Sequence, residues 1–232
     1  MNRPRRHNRS RRGSEGRDEK KSGGYRRHDG FFRRARDQGF AARSVFKLEE
    51  IQQRVELLRQ GQRLLDLGCA PGSWLQLAAQ IVGRGGRVIG VDVDPVEVPL
   101  PPWVTVLRGD VAAIEPGQLV AAAGGRFDGL LSDLAPHTSG VRHADQARSL
   151  ALVERALEIA AAAVADGGFF VAKIFDGGDV PALIARLRLA AREVRTLRPR
   201  ATRSHSKEIY LVATGWRTSA GMAQIDCRSA QK

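Results

Sequence analysis

The chain has 232 residues, 42% of them hydrophobic and 27% charged, which is enough apolar material for one sizeable core and too much for a mainly disordered chain. No uncharged apolar run approaches the roughly 18 residues of a membrane helix, and the charged N-terminus lacks the apolar segment of a secretion signal. Residues 1–36 hold 14 Lys and Arg against 4 Asp and Glu, so +10 of the net +13 rides on that segment.

Residues 1–24 are polar and dotted with Gly and Ser, and are expected to form a disordered basic arm attracted to a polyanion, above all a nucleic acid. A solubilising tail is the plainer alternative. Arg26, Arg27, Arg33, Arg34 and Arg43 lead from the arm into the first regular helix and suit phosphate contacts, which position RNA without reading bases. Tyr25, Phe31, Phe32 and Phe40 lie among them; packing against the sheet is the favoured use, with stacking on unpaired bases the other.

Val45, Leu48, Ile51, Val55 and Leu58 recur at helical spacing, with Gly61 as the stop. A short apolar strand follows over 63–68, then a helix over 73–82 with Ser73 as its N-cap. Strands are predicted at 86–93, 103–110 and 127–136. A long Ala- and Leu-rich helix runs from Ala144 to Ala165 and breaks at Asp166-Gly167-Gly168. Next come the apolar strand "FFVAKIF", a helix from Val180 to Ala191, and two strands, 193–198 and 208–215. This alternation predicts one α/β domain over 25–216, with a mostly parallel sheet, helices on both faces and one antiparallel insertion at the sheet edge. Residues 217–232 lack periodicity and read as a loose tail.

Ligands of such a sheet bind at the carboxyl ends of its strands, where Asp66, Asp92, Asp110, Asp133 and Lys173 all fall. In "DLGCAPGSW" (66–74), Gly68 and Gly72 permit close backbone approach, and Asp92 stands where an acid accepts ribose hydroxyls. The G-x-G-x-x-G pattern that seats a pyrophosphate is missing. That disfavours a nicotinamide-dependent oxidoreductase and points to a nucleoside cofactor without pyrophosphate, of which S-adenosylmethionine is the common one. Ordinary tight turns with solvated acids explain any one of these features alone. Cys69 and Cys227 are far apart with no metal-type spacing, so no metal site is expected and a reducing interior, the cytoplasm, is the default. Lys173 is the odd residue. Inside an apolar strand its ammonium needs partners or a lowered pKa: it either reaches the sheet edge and pairs with Asp176 or Asp179, or it serves as a base near another cation.

Five segments, "RSVFKLEEI", "DLGCAPGSW", "SDLAPHTSG", "GGFFVAKIFDGG" and "RSHSKEIYLVATG", in this order over about Tyr25 to Gly215, resemble the FtsJ/RrmJ family of ribosomal RNA 2'-O-ribose methyltransferases. The resemblance implies a Rossmann-like S-adenosylmethionine-dependent methyltransferase fold of seven strands, one of them antiparallel. It maps the family's Lys-Asp-Lys-Glu tetrad onto Lys47, Asp133, Lys173 and Glu208, and its cofactor contacts onto Gly72, Trp74, Asp92, Asp110 and Asp133. It further implies methylation of a uridine 2'-hydroxyl in 23S rRNA, within the assembled large subunit; the protein itself is expected to be a monomer. Lys173 is then either a neutral base or a charged group that steers the hydroxyl. Cys69, Ser73 and His137 depart from the residues frequent in the family. Transfer RNA or an mRNA cap is the alternative substrate, and a non-catalytic RNA-binding protein is the alternative class.

Overall fold

The computed structural model describes residues 30–203 and 206–218. Tyr25, Arg26, Arg27, the basic arm and residues 219–232 lie outside them. The elements are α1 (Gly30–Asp37), α2 (Val45–Val55), β1 (Arg63–Leu67), α3 (Ser73–Val82), β2 (Arg87–Asp92), β3 (Val104–Arg108), α4 (Pro116–Ala123), β4 (Phe127–Ser132), α5 (Arg142–Ala163), β5 (Val164–Phe175), α6 (Val180–Ala190), β6 (Ala191–Leu197) and β7 (Glu208–Trp216). The seven strands form one sheet in the order β3-β2-β1-β4-β5-β7-β6. Strands β3 to β5 pair in parallel, whereas β7 runs antiparallel to both β5 and β6.

Strand parity decides which side chains meet which helices, because successive residues of a strand point to opposite faces. Phe170, Ala172 and Ile174 of β5, with Ile209, Leu211 and Ala213 of β7, pack with Leu119 of α4, Val153 and Leu157 of α5, and Leu183 of α6. Phe169 and Val171, with Tyr210 and Val212, pack instead with Leu48 and Ile51 of α2 and Trp74 and Leu75 of α3. Leu48 and Ile51 are wholly buried. At about 1.5–3 kcal/mol for each such side chain, they anchor α2 firmly to the sheet. A smaller cluster joins Ala35 of α1 to Val45, Phe46 and Ala201, with Phe31 and Phe40 packed against it.

Several expectations are corrected. Helix α2 stops at Val55 rather than running on to Gly61: Glu56 adopts a left-handed φ of 54° and donates its N–H to the Gln52 carbonyl. The chain turns there so that Leu57 and Leu58 can enter the core, and the Gln52 amide clamps Leu58 through both its N–H and its carbonyl. Gly72, not Ser73, is the N-cap of α3, and the Ser73 hydroxyl bonds that of Ser44 at 2.8 Å, tying α3 to the residue before α2. Helix α5 ends at Ala163, and β5 takes in the Asp166-Gly167-Gly168 segment with a shift of register against β4. Helices α1 and α4 were not anticipated. The antiparallel strand β7 sits one place in from the edge, which β6 occupies. The first residues of the expected loose tail are tied down, Arg217 to the Ala190 carbonyl and Thr218 to the Asp166 carboxylate.

Candidate active site

Lys173 has the parity of Phe169 and Val171, so its side chain leaves β5 on the side covered by α2 and α3. Directly across the antiparallel ladder stands Tyr210, and Glu208 is paired with Phe175 one step further out. Opposed residues of adjacent strands share a face, so Lys173, Tyr210 and Glu208 project together toward α2. Helix α2 supplies Lys47 to the same place, four residues before the buried Ile51. The two lysines are 8% and 5% exposed and are the only buried cations among the described residues.

Each lysine has a carboxylate. Lys47 Nζ lies 2.9 Å from Glu208 Oε2. Lys173 Nζ lies 2.9 Å from Asp133 Oδ1 and donates to the Asp133 backbone carbonyl at 2.7 Å. Asp133 is fixed just past β4 by its N–H, which donates to the Leu67 carbonyl at the end of β1. Pairing with Asp176 or Asp179, the plainer expectation for Lys173, is not what is found. Tyr210 joins the two pairs: its hydroxyl donates to Asp133 Oδ1 at 2.7 Å, and its ring centre is 5.8 Å from Lys47 Nζ. Burial first, and then the Asp133 carboxylate, push the Tyr210 phenol well above its usual range, so it remains a donor at any physiological pH.

Asp66, at the carboxyl end of β1, is wholly buried, and neither carboxylate oxygen has a hydrogen-bond partner. Burial raises its pKa most, followed by the charges of Asp133 and Asp92. Three carboxylates thus approach one another at the carboxyl ends of β1, β2 and β4, an arrangement that favours a cation between them. Asp92 accepts the N–H groups of Ala70 (2.8 Å) and Asp94 (2.9 Å), binding the turn after β1 to the tip of β2. Asp110 is exposed and accepts the Ala112 N–H at 2.8 Å. At Gly72 the backbone has φ 110°, and a Cβ would come within 2.8 Å of both Val96 and Val98, so no other residue fits there without displacing that loop. Trp74 is buried, its indole N–H donated to the Ser44 carbonyl and its ring 5.9 Å from that of Tyr210. What Trp74 can offer a ligand is its backbone N–H, one of the first-turn donors of α3 that no carbonyl within the helix can reach.

The structure therefore brings Lys47, Asp133, Lys173 and Glu208 into one cluster, with Gly72, Trp74 and Asp92 gathered about the adjoining turn. The arginines divide. Arg33 is exposed, whereas Arg34 pairs with Glu49 at 3.3 Å and covers the Phe46 ring, and Arg43 donates to the Ala201 carbonyl at 3.0 Å. Arg34 and Arg43 thus hold α1 and the β6–β7 loop to α2. Phe31 and Phe40 pack rather than stack outward. Tyr210 went unnoticed in the sequence, although the alternation in "EIYLVATG" places it on the face of Glu208.

A seven-stranded sheet in this order, with only β7 reversed and acids along the carboxyl ends of its first strands, is a Rossmann-like methyltransferase fold. Solved structures share it: a ribosomal RNA methyltransferase of Plasmodium falciparum described as putative in its own naming matches with TM-score 0.68 at 24% identity, over 76% of this chain and 98% of that one. Fibrillarin of Aeropyrum pernix, solved with S-adenosyl-L-methionine bound, matches with TM-score 0.52 at 18% identity, over 74% and 76%. The chain belongs to the FtsJ-like methyltransferase family, whose model matches residues 40–216. Among its relatives, the ribosomal RNA large subunit methyltransferase E of Syntrophobacter fumaroxidans is 46% identical over 84% of this chain and 99% of its own length. That of Sorangium cellulosum is 50% identical over 81% and 88%.

Proposed function

We propose that this protein methylates the 2'-hydroxyl of a uridine ribose in 23S rRNA, using S-adenosylmethionine, as a cytoplasmic monomer acting on the assembled large subunit. The observation that carries the reading is the pair of buried lysine–carboxylate contacts, Lys47–Glu208 and Lys173–Asp133, joined through Tyr210. The names of the relatives support the substrate. The cofactor brings an activated methyl group on a sulfonium, together with an ammonium. Asp66, without a partner and beside Asp133 and Asp92, fits that cationic character. Asp92 and Asp110 would hold the nucleoside, with Gly72 and the Trp74 backbone beside it.

A ribose hydroxyl is a weak nucleophile until its proton is taken, so the chain's task is alignment plus a base. Lys173 Nζ directs two of its positions at the Asp133 carbonyl and carboxylate. As a neutral amine it would turn its lone pair to the remaining position, where it accepts the 2'-hydroxyl proton as the oxygen is alkylated. Glu208 holds Lys47, and Tyr210 keeps the Asp133 oxygen aimed at Lys173. The 2.9 Å contact with Asp133 also favours a second reading, in which Lys173 stays charged and steers the hydroxyl.

The variant Lys173→Ala is expected to abolish methyl transfer to large subunits while the affinity for S-adenosylmethionine stays within about threefold. A variant that keeps most of its turnover would sink the assignment. The variant Lys173→Arg separates the two readings: its guanidinium keeps the charge but cannot serve as a base, so transfer is retained in part if the charge is what acts and lost if Lys173 is the base. Mapping ribose methylation on 23S rRNA from cells lacking the protein tests the substrate, with tRNA and capped mRNA as the alternatives.

A further inference from the structure

A cavity of about 210 Å³ opens just beyond the tetrad, lined by Arg142, Asp145, Gln146, Phe175, Ser206 and Lys207. Its place follows from the ladder. Phe175 is two residues beyond Lys173 on β5, about 7 Å along the strand and within the reach of one nucleotide. Lys207 immediately precedes Glu208, and its carbonyl accepts the Asp176 N–H at 2.9 Å, closing the strand ends around the cavity. A larger cavity of about 410 Å³, lined by Asp128, Asp166, Glu193 and Arg195 among others, lies at the amino ends of β4 and β5 and is remote from the lysines.

The lining suits one kind of occupant. Phe175 is half-buried and lines the cavity. Gln146 is held by its N–H, which donates to the Asp176 carbonyl at 2.6 Å, and no donor among the described residues occupies its side-chain carbonyl oxygen. Asp145 places no free charge there: it accepts the Ser139 and Gly140 N–H groups and the Ser139 hydroxyl, and pairs with Arg148 at 3.1 Å. Arg142 and Lys207 add positive charge to the lining. An aromatic ring, one fixed acceptor and nearby cations are what an unpaired nucleobase and its phosphates require.

We infer that this cavity receives a nucleobase of the RNA, at or next to the methylated nucleotide, stacked on Phe175 with a base N–H donated to Gln146. The inference rests on the methylation reading above and adds a site for substrate recognition. The residues involved are distinct from the tetrad, so removing the stacking ring weakens the binding of RNA and leaves that of the cofactor alone.

The test is steady-state methyl transfer by the full chain to large subunits from cells lacking the protein, comparing wild type, Phe175→Ala, Phe175→Leu and Phe175→Tyr. Removing a stacked ring is expected to raise KM for the subunit about tenfold or more in the Ala and Leu variants, with cofactor affinity and thermal midpoint near those of wild type. Tyr restores the ring and is expected to restore KM. Leu keeps the bulk and apolar character, so it remains informative if Ala fails to fold. Active wild type with a Leu variant of unchanged KM overturns the inference while the methylation reading stands. No transfer by wild type to any RNA overturns both.

Discussion

At the scale of single residues, the site combines two buried ion pairs with one buried acid that has nothing to bond. Buried charges with good partners are tolerated, whereas an unpartnered carboxylate is destabilising by several kcal/mol unless it is protonated. Asp66 is in the second condition, and its raised pKa expresses it. Folded Asp66 therefore holds a proton that the unfolded chain releases, and the protein free of cofactor loses stability as pH rises through the folded pKa. Asp66→Asn, which removes the charge at constant shape, is expected to raise the thermal midpoint of the free protein by a few degrees, about 1 kcal/mol being worth about 2–4 °C in a chain of this size. The same change is expected to weaken S-adenosylmethionine binding about tenfold or more, read by calorimetry. A variant neither stabilised nor weakened in binding would show that Asp66 has no part in holding the cofactor. Single residues were unevenly legible. Lys173 betrayed itself as a charge inside an apolar run, and Asp92 as an acid at a strand tip. Tyr210 looks like one more apolar member of its strand, and only the ladder reveals that its hydroxyl faces Asp133.

Elements were legible where a period was long and failed where a tertiary contact overrode it. The apolar repeat of α2 continues through Leu58, but the helix stops three residues sooner because the core takes Leu57 and Leu58 from a turn. Helix α4 is a single eight-residue piece with little amphipathic contrast, and it gave no signal. The loop after β4 is held in a less visible way. Asp145, inside the first turn of α5, gathers the N–H groups of Ser139 and Gly140 and the Arg148 guanidinium, and the Ser139 N–H is the largest cause of its lowered pKa. A carboxylate whose folded pKa is depressed contributes stability above its unfolded pKa and loses it as pH falls through the folded value. Asp145→Asn is thus expected to be less stable than wild type at neutral pH, and the two are expected to converge as pH falls through the folded value, under the ordinary carboxylate range. Urea unfolding at stepped pH measures this. Equal stabilities at pH 7 would mean that the acid does not hold the loop.

Across the whole molecule, the charge is lopsided: residues 37–232 carry only +3, and the remainder sits ahead of them. Deleting residues 1–24 is expected to lower affinity for large subunits and to flatten its salt dependence, since fewer neutralised phosphates release fewer counterions. Unchanged affinity at both low and high salt would make the arm passive. The alternation of strands and helices was enough to foresee a parallel sheet. It was not enough to place β7, because strand order depends on pairings between distant segments that no local pattern encodes. That placement has a consequence for how the molecule comes into being. Among the described residues β7 is the last strand of the chain, yet β6 pairs with the sheet only through it, and it carries Glu208, the counter-ion of Lys47. The strand ends that present Asp66, Asp92 and Asp133 therefore precede in the chain the strand that completes the lysine cluster, so that half of the sheet can form while Lys47 still lacks its carboxylate.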